Sequence, residues 1–142
     1  FIGKLSELDK VLSLSDVIVL CVGLNKSTRM LINEKNINFL KKNSLIINVA
    51  RGSVIQQKAL YNWLKANSEA RACIDSWWRE PITHGDFDTE YPFLNLPNFF
   101  ASPHNSAITE GAFKKAGYQA AENVKSFLEN KNAERLVTLN DQ

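Results

Sequence analysis

The sequence predicts an α/β fold with a mainly parallel sheet and flanking helices. Short apolar runs alternate with segments in which apolar residues recur at helical spacing, which is the rhythm of β-α units. Right-handed crossovers are the default for such units. The chain has 142 residues, 44% of them hydrophobic and 23% charged, which is the size and composition of one ordinary domain.

The predicted strands rest on the apolar runs. Residues 17–22 are wholly apolar, so this strand is expected to be buried on both faces of the sheet, and 45–50 is the next buried strand. A third strand over 70–75 directly follows a predicted helix, and 99–101 forms a short fourth strand. The connection over 76–98 has no clean period and holds all but one of the prolines, so it is predicted to be a long functional loop.

The predicted helices lie between and after these strands. Leucines recur at helical spacing between residues 4 and 14, and a short helix over 33–42 turns Ile37 and Leu40 inward. The helix over 56–66 buries Leu60, Trp63 and Leu64. Thr109 is the expected N-cap of the longest helix, over 110–129. The buried stripe expected there consists of Phe113, Ala116, Ala120, Val124, Phe127 and Leu128.

Composition excludes several functional classes. No apolar run is long enough to suggest a membrane span, and no basic leader precedes a hydrophobic core, so a cytoplasmic protein is expected. The net charge of +2 comes from scattered Lys and Arg, which gives no support for nucleic-acid binding. Cys21 and Cys73 lie in apolar segments and are expected to be buried, reduced thiols.

Polar side chains follow the predicted strands at the edge where open α/β sheets bind ligands. Arg51 follows the second strand, Asp75 ends the third with Glu80 five residues on, and His104 follows the fourth. Each has an ordinary structural interpretation, such as a surface ion pair or a turn cap. Their occurrence at successive strand ends favours a shared site.

The residue types at this edge fit one kind of chemistry. A carboxylate such as Glu80 stabilises the imidazolium of an adjacent histidine, so His104 can act as a general acid. The guanidinium of Arg51 can grip a carboxylate through two parallel hydrogen bonds. A 2-oxo acid held in this way needs only a hydride donor, and the fold class suggests a nicotinamide.

Several motifs resemble the D-isomer-specific 2-hydroxyacid dehydrogenases, over about residues 5 to 130. Their order and spacing make the match specific. The segments that carry the resemblance are 8–22 (LDKVLSLSDVIVLCV), 24–28 (LNKST), 31–33 (LIN), 47–52 (INVARG), 59–60 (AL), Asp75 with Glu80-Pro81, 94–98 (LNLPN) and 102–104 (SPH).

The resemblance implies a Rossmann-like domain that binds NAD, with NADP not excluded, and a small 2-oxo or 2-hydroxy acid as substrate. It implies that Arg51 binds the substrate carboxylate and that His104, hydrogen-bonded by Glu80, donates the proton. Asp75 would hold the nicotinamide side of the cofactor. It implies a homodimer, and no metal is expected because the cysteines and histidines lack the spacing of a metal site. The cofactor-binding residues implied are Val22, Gly23, Val49, Ala50, Arg51, Asp75, His104 and Ala107.

Some positions depart from the family pattern. Gly23 stands where the family usually has Pro, Asn105-Ser106 replaces the usual apolar and small residues, and Ser76-Trp77-Trp78 is bulkier than the usual Val-Phe. The Trp pair either packs the loop or forms a wall of the substrate pocket. The six glycines form no G-x-G-x-x-G, the motif that binds the cofactor pyrophosphate.

The missing motif leads us to expect the C-terminal portion of a longer enzyme. Residues 1–129 would be the later part of the NAD-binding domain, and 130–142, with Leu136, Val137 and Leu139, a tail returning to an absent substrate domain. Because of its unpaired strand edge, the 142-residue piece is then expected to self-associate, to swap elements or to remain bound to its other half, and alone to show negligible turnover.

Three alternatives remain open. A corepressor-like protein of the same family would keep the Arg, Glu and His while sensing the dinucleotide through protein contacts. A metal site of Cys21, Cys73, His84 and His104 has no standard ligand spacing. A purely structural interaction module would make the residues at the strand ends a coincidence.

Overall fold

A sheet of four parallel strands lies at the centre of the first of two units in the computed structural model, which describes residues 3–129 and 131. The strand order along the sheet is the same as along the chain, as expected for β-α units. The predicted parallel α/β sheet is therefore confirmed. The strands are β1, Val17–Leu20; β2, Leu45–Asn48; β3, Arg71–Ile74; and β4, Phe99–Ala101.

The helices follow the predicted order in outline. The helices predicted over 4–14 and 56–66 form close to their predicted bounds. Short 3₁₀ segments occur at Leu5–Glu7, Ile37–Phe39, Gly52–Val54 and Phe93–Asn95. The α-helices are α1, Leu8–Leu14; α2, Gln57–Ala66; α3, Pro81–His84; and α4, Ala112–Leu128.

The first unit, residues 1–105, buries one face of its sheet. Leu12 of α1 and Leu60 of α2 belong to the same core cluster as Ile18 and Ile46 of the strands. The other face is open, with Val19 52% exposed. The expectation that β1 is buried on both faces is wrong, because side chains alternate along a strand and the helices of this unit cover a single side.

Residues 33–42 do not form the predicted α-helix. The structure has turns and the Ile37–Phe39 3₁₀ segment there, although Ile37 and Leu40 are buried as expected. The Asn36 Oδ1 accepts the N–H of Asn33, and the Asn36 amide donates to the carbonyl of Leu31. Side-chain bonds of this kind compete with helical backbone bonds, which explains the difference.

The connection over 76–98 contains more structure than the predicted loop. It holds α3, the 3₁₀ segment Phe93–Asn95 and an antiparallel bridge between Arg79 and Asp88. Phe93 is fully buried and belongs to the core cluster. The absence of a helical or strand period therefore concealed a segment that is partly core.

The second unit, residues 106–142, contains α4. Its N-cap is Gly111 at φ 76°, so the prediction of Thr109 as the cap is wrong. The predicted stripe is also exposed, with Phe113, Val124, Phe127 and Leu128 at least 60% accessible. A single helix cannot cover its own apolar side. The tail prediction for 130–142 lies outside the described residues, Lys131 excepted.

Two further predictions concern membranes and thiols. Within the described residues, no helix is long and apolar enough to cross a membrane, and no group of side chains could hold a metal ion. Both cysteines are free thiols, but Cys21 is exposed and Cys73 is only half-buried. The expectation of buried thiols is wrong because Cys21 follows the end of β1, and Cys73 lies on the open face of β3.

Candidate active site

The turn after β2 presents Arg51 and is shaped by a buried asparagine. The Asn48 amide donates to the carbonyl of Arg51 at 3.0 Å, and its Oδ1 accepts the N–H of Ala50 at 3.0 Å. The hydroxyl of Ser76 donates to the carbonyl of Ala50 at 3.0 Å. These bonds fix the backbone on both sides of Arg51, and sequence reasoning had not given Asn48 or Ser76 any part in the site.

The guanidinium of Arg51 keeps N–H donors available for an anion. Arg51 is exposed, and its Nη1 donates to the carbonyl of Ala50 at 2.6 Å. A guanidinium carries five N–H donors in a planar fork, so this bond leaves donors for an anion. Next to it, a side chain on Gly52 would clash with the backbone of Trp77, so glycine allows the turn to lie against that segment.

Glu80 and His104 form a contacting pair at the same edge of the sheet. A Glu80 carboxylate oxygen lies 2.9 Å from Nδ1 of His104, although 24 residues separate them along the chain. Both side chains are partly buried, at 22% and 34% exposure. Oε1 of Glu80, which also lies 2.9 Å from Nδ1, accepts the backbone N–H of Trp77 at 2.9 Å. The carboxylate therefore contacts both the imidazole and the backbone of the 76–98 connection.

His104 adopts an unusual backbone conformation. Its φ is 51°, in the left-handed region that residues with a Cβ seldom occupy. Asp75, which is 5% exposed, secures the segment on each side of it. The Asp75 Oδ1 accepts the hydroxyl of Ser102 at 2.5 Å and the backbone N–H of Asn105 at 3.1 Å. Backbone strain of this kind is common at functional sites.

A groove at the ends of β1 and β2 contains five of the predicted cofactor residues: Val22, Gly23, Val49, Ala50 and Arg51. Its volume is about 530 Å³. The thiol-bearing Cys21 and the apolar Leu24 also line it. Leu24 was not predicted, and its position just after the strand was the available signal. Predicted Ala107 belongs to the second unit, in a turn where its carbonyl accepts the N–H of Thr109.

The groove suits part of a nicotinamide dinucleotide. Val22 and Val49 offer exposed apolar surface for a flat ring, and a Cβ at Gly23 would meet no atom within 4 Å. Arg51 is the cationic residue of this lining. Apolar side chains beside exposed polar backbone groups and one charged side chain are common in cofactor sites. The glycine-rich pyrophosphate motif is not part of the 142 residues.

The Trp pair divides between two roles. The Trp78 indole donates to the carbonyl of Ile55 at 2.7 Å, and its ring stacks on Phe93 at 5.2 Å. The Trp77 indole donates to the carbonyl of Ser102 at 2.8 Å. Trp78 therefore packs the loop, while Trp77 contacts the segment that carries His104.

Comparison with protein-family models gives one match across most of the chain. Residues 2–106 match the model described as D-isomer specific 2-hydroxyacid dehydrogenase, NAD binding domain. These residues include every strand and each of the predicted residues Arg51, Asp75, Glu80 and His104.

Individual relatives agree with that match. The chain is 36% identical to D-3-phosphoglycerate dehydrogenase of Methanocaldococcus jannaschii over 94% of its length, and 34% identical to glyoxylate reductase of Thermococcus kodakarensis over 96%. It spans 24% and 38%, respectively, of those curated relatives.

A solved structure extends the agreement to three dimensions. A D-isomer specific 2-hydroxyacid dehydrogenase from Xanthobacter autotrophicus, solved with NADPH and MES, superposes with a TM-score of 0.79 at 26% identity. The superposition covers 94% of this chain and 52% of that one. The four-stranded sheet is therefore the Rossmann-like core of such a domain.

Proposed function

This chain belongs to the D-isomer specific 2-hydroxyacid dehydrogenases, and from that premise we propose that it supplies the proton donor and the carboxylate-binding arginine for NAD(P)-dependent reduction of a 2-oxo acid to a D-2-hydroxy acid. The observation that carries the proposal is the 2.9 Å contact between Glu80 and His104 beside the turn that presents Arg51. The family is NAD-dependent. The substrate and the residue roles are our proposals.

His104 is the proposed general acid. With Nδ1 engaged by Glu80, Nε2 is the ring nitrogen left to donate. In the direction of reduction, the N–H bond at Nε2 breaks and the proton passes to the carbonyl oxygen of the substrate. In the reverse direction, the neutral ring takes the hydroxyl proton. The carboxylate of Glu80 stabilises the imidazolium that gives up its proton in reduction and that forms when the ring takes a proton in oxidation.

Arg51 is the proposed anchor for the substrate. Its guanidinium matches the geometry of a carboxylate, and two parallel N–H donors fix both the position and the plane of that group. Holding the carboxylate leaves the adjacent carbonyl carbon within the site. This arrangement converts a bimolecular encounter into an oriented reaction.

Val49 and Ala50 are the proposed wall for the nicotinamide half of NAD(P), and Val22 and Gly23 are proposed to lie near its adenosine half. When bound, the reduced cofactor supplies the hydride for the carbonyl carbon. The exposed side chains of Val22 and Val49 offer apolar surface to the cofactor, and Arg51 lies in the same groove. The relatives named above are a dehydrogenase and a reductase, so they do not favour the alternative of a corepressor-like binding protein.

The test of this function uses the polypeptide as its gene encodes it. NADH and NADPH oxidation would be followed with glyoxylate, pyruvate and hydroxypyruvate, because each carries a carboxylate beside a carbonyl. We expect saturable reduction of at least one acid and, for a chiral product, the D enantiomer. NAD(P)H binding with no reduction of any 2-oxo acid would contradict the proposal.

A further inference from the structure

We propose that Trp77 is a positioning residue that holds His104 against Glu80, an inference that rests on the proposed function of that pair. Trp77 hydrogen-bonds Glu80 directly and also bonds the segment that leads into His104. Its backbone N–H donates to Oε1 of Glu80 at 2.9 Å. Its indole N–H donates to the carbonyl of Ser102, two residues before His104, at 2.8 Å.

The bond to Ser102 restricts the approach to His104. The Ser102 carbonyl belongs to the peptide bond that leads into Pro103, so fixing that oxygen fixes the plane of the bond. The ring of Pro103 then locks its own φ. Between the fixed plane and His104, the remaining soft torsions are ψ of Pro103 and φ of His104. The indole N–H therefore acts close to the histidine without touching it.

His104 needs this restraint because its φ of 51° is unfavourable for a residue with a side chain. Asp75 supplies two of the restraining bonds, through the Ser102 hydroxyl and the Asn105 N–H. Trp77 supplies a third, to the carbonyl of Ser102. Together they hold the imidazole where Nδ1 meets Glu80.

The indole itself is held in place by other rings. Its centroid lies 5.5 Å from that of Phe87 and 6.4 Å from that of Phe99, the latter in an edge-to-face arrangement. A phenylalanine at position 77 would keep most of this aromatic packing. It would lack the N–H donor. Trp77→Phe therefore separates the hydrogen bond from the packing.

Trp78→Phe is the matched control. It removes an indole N–H from the neighbouring position, and the bond lost, to the carbonyl of Ile55 at 2.7 Å, leads away from the Glu80–His104 pair. Ring stacking on Phe93 is retained in that variant, as ring packing is in Trp77→Phe. Any general effect of losing one indole hydrogen bond in this loop should appear in both variants.

The experiment compares both variants with the wild-type polypeptide as its gene encodes it. The kcat and KM for the 2-oxo acid would be measured by steady-state kinetics and NADH affinity by calorimetry. The imidazole Nδ1–H proton of His104 would be followed by NMR with ¹⁵N-labelled histidine. For Trp77→Phe we expect kcat to fall about ten-fold, KM and NADH affinity to stay within about two-fold, and the Nδ1–H resonance to move upfield or broaden. Trp78→Phe should leave all of these unchanged.

Two results would overturn the inference: unchanged kcat and Nδ1–H resonance in Trp77→Phe, or equal losses in both variants. If Trp77→Phe does not fold, Trp77→Tyr takes its place, because it also keeps an aromatic ring and lacks the indole N–H that bonds the carbonyl of Ser102. Wild-type values in that variant would equally count against the restraint. If the wild type reduces no 2-oxo acid, the proposed function fails, and the NMR comparison alone decides the role of Trp77.

Discussion

The two strand-end regions of the proposed site differ in how firmly they hold their functional side chains. After β2, Arg51 is exposed, and its guanidinium bonds the carbonyl of its own neighbour. After β3 and β4, Glu80 and His104 contact each other and are braced by Trp77. The pair proposed to donate the proton is therefore already organised in the structure, whereas the exposed guanidinium of Arg51 can reorient toward an anion.

The largest loss is expected on replacing the proton donor. His104→Gln should lower kcat for reduction about 10³-fold, because general acid catalysis contributes on the order of 10² to 10⁴. NADH affinity should stay within about three-fold, measured by calorimetry. The other histidine, His84, is exposed at the end of α3, so His84→Gln serves as the control and should keep full activity. A modest effect of His104→Gln, similar to that of the control, would remove His104 from the mechanism.

Replacing Arg51 should change substrate binding more than the rate of the chemical step. Arg51→Gln should raise KM for the 2-oxo acid about 10²-fold, because two charge-assisted hydrogen bonds to the carboxylate are lost. Arg71 is also exposed, but it lies at the start of β3, the end of the strand away from the proposed site. Arg71→Gln should therefore leave KM unchanged. Steady-state kinetics separate the two parameters. An Arg51→Gln enzyme with wild-type KM would show that another group binds the carboxylate.

The next largest effect is expected on replacing Glu80, which contacts His104. Glu80→Gln keeps the shape of the side chain and removes its charge, so kcat should fall about ten- to one hundred-fold while KM changes little. Glu69→Gln alters an exposed carboxylate elsewhere and controls for net charge. The assay is the same steady-state reduction. Equal kcat values in the two variants would mean that Glu80 is not coupled to the proton transfer.

The smallest activity effect is expected from the asparagine beneath the arginine turn. Asn48→Ala should lower the free energy of unfolding by about 2 kcal/mol, because it leaves buried backbone groups unpaired. It should also raise KM a few-fold through the loosened turn. Asn98, another buried asparagine, bonds the carbonyls of Leu64, Asn67 and Ala70 away from Arg51. Asn98→Ala should lower the free energy of unfolding by a similar amount, measured by urea denaturation, and leave KM unchanged. An equal change of KM in Asn48→Ala and Asn98→Ala would contradict the role of Asn48 in shaping the Arg51 turn.

The sequence predicts the elements and site residues that leave a local pattern in the chain. Apolar runs and helical spacing located all four strands and α2, because a buried strand or an amphipathic helix leaves a local pattern. The open α/β rule directed attention to Arg51, Asp75, Glu80 and His104, because it ties ligand binding to the strand ends. These features depend on residues close together in the chain.

The features that were missed depend on contacts between distant residues or on local side-chain bonds. The bond from Trp77 to Ser102 spans 25 residues and leaves no pattern that a single sequence reveals. Asn36 prevents the predicted helix through its own amide bonds, and Gly111 moves the start of α4 past Thr109. Alternation of exposure along β1 followed from which side the helices of the first unit pack against, which strand composition does not encode.

The pH dependence of catalysis in both directions tests the central claim most directly. Reduction requires the protonated imidazole of His104, so kcat/KM for the 2-oxo acid should fall as pH rises. Oxidation requires the neutral imidazole, so kcat/KM for the D-2-hydroxy acid should fall as pH is lowered. Both of these falls in kcat/KM should be absent from the residual activity of His104→Gln. Two results would contradict the Glu80–His104 pair as the proton donor: pH profiles that change in the same sense in both directions, or the same falls persisting in that variant.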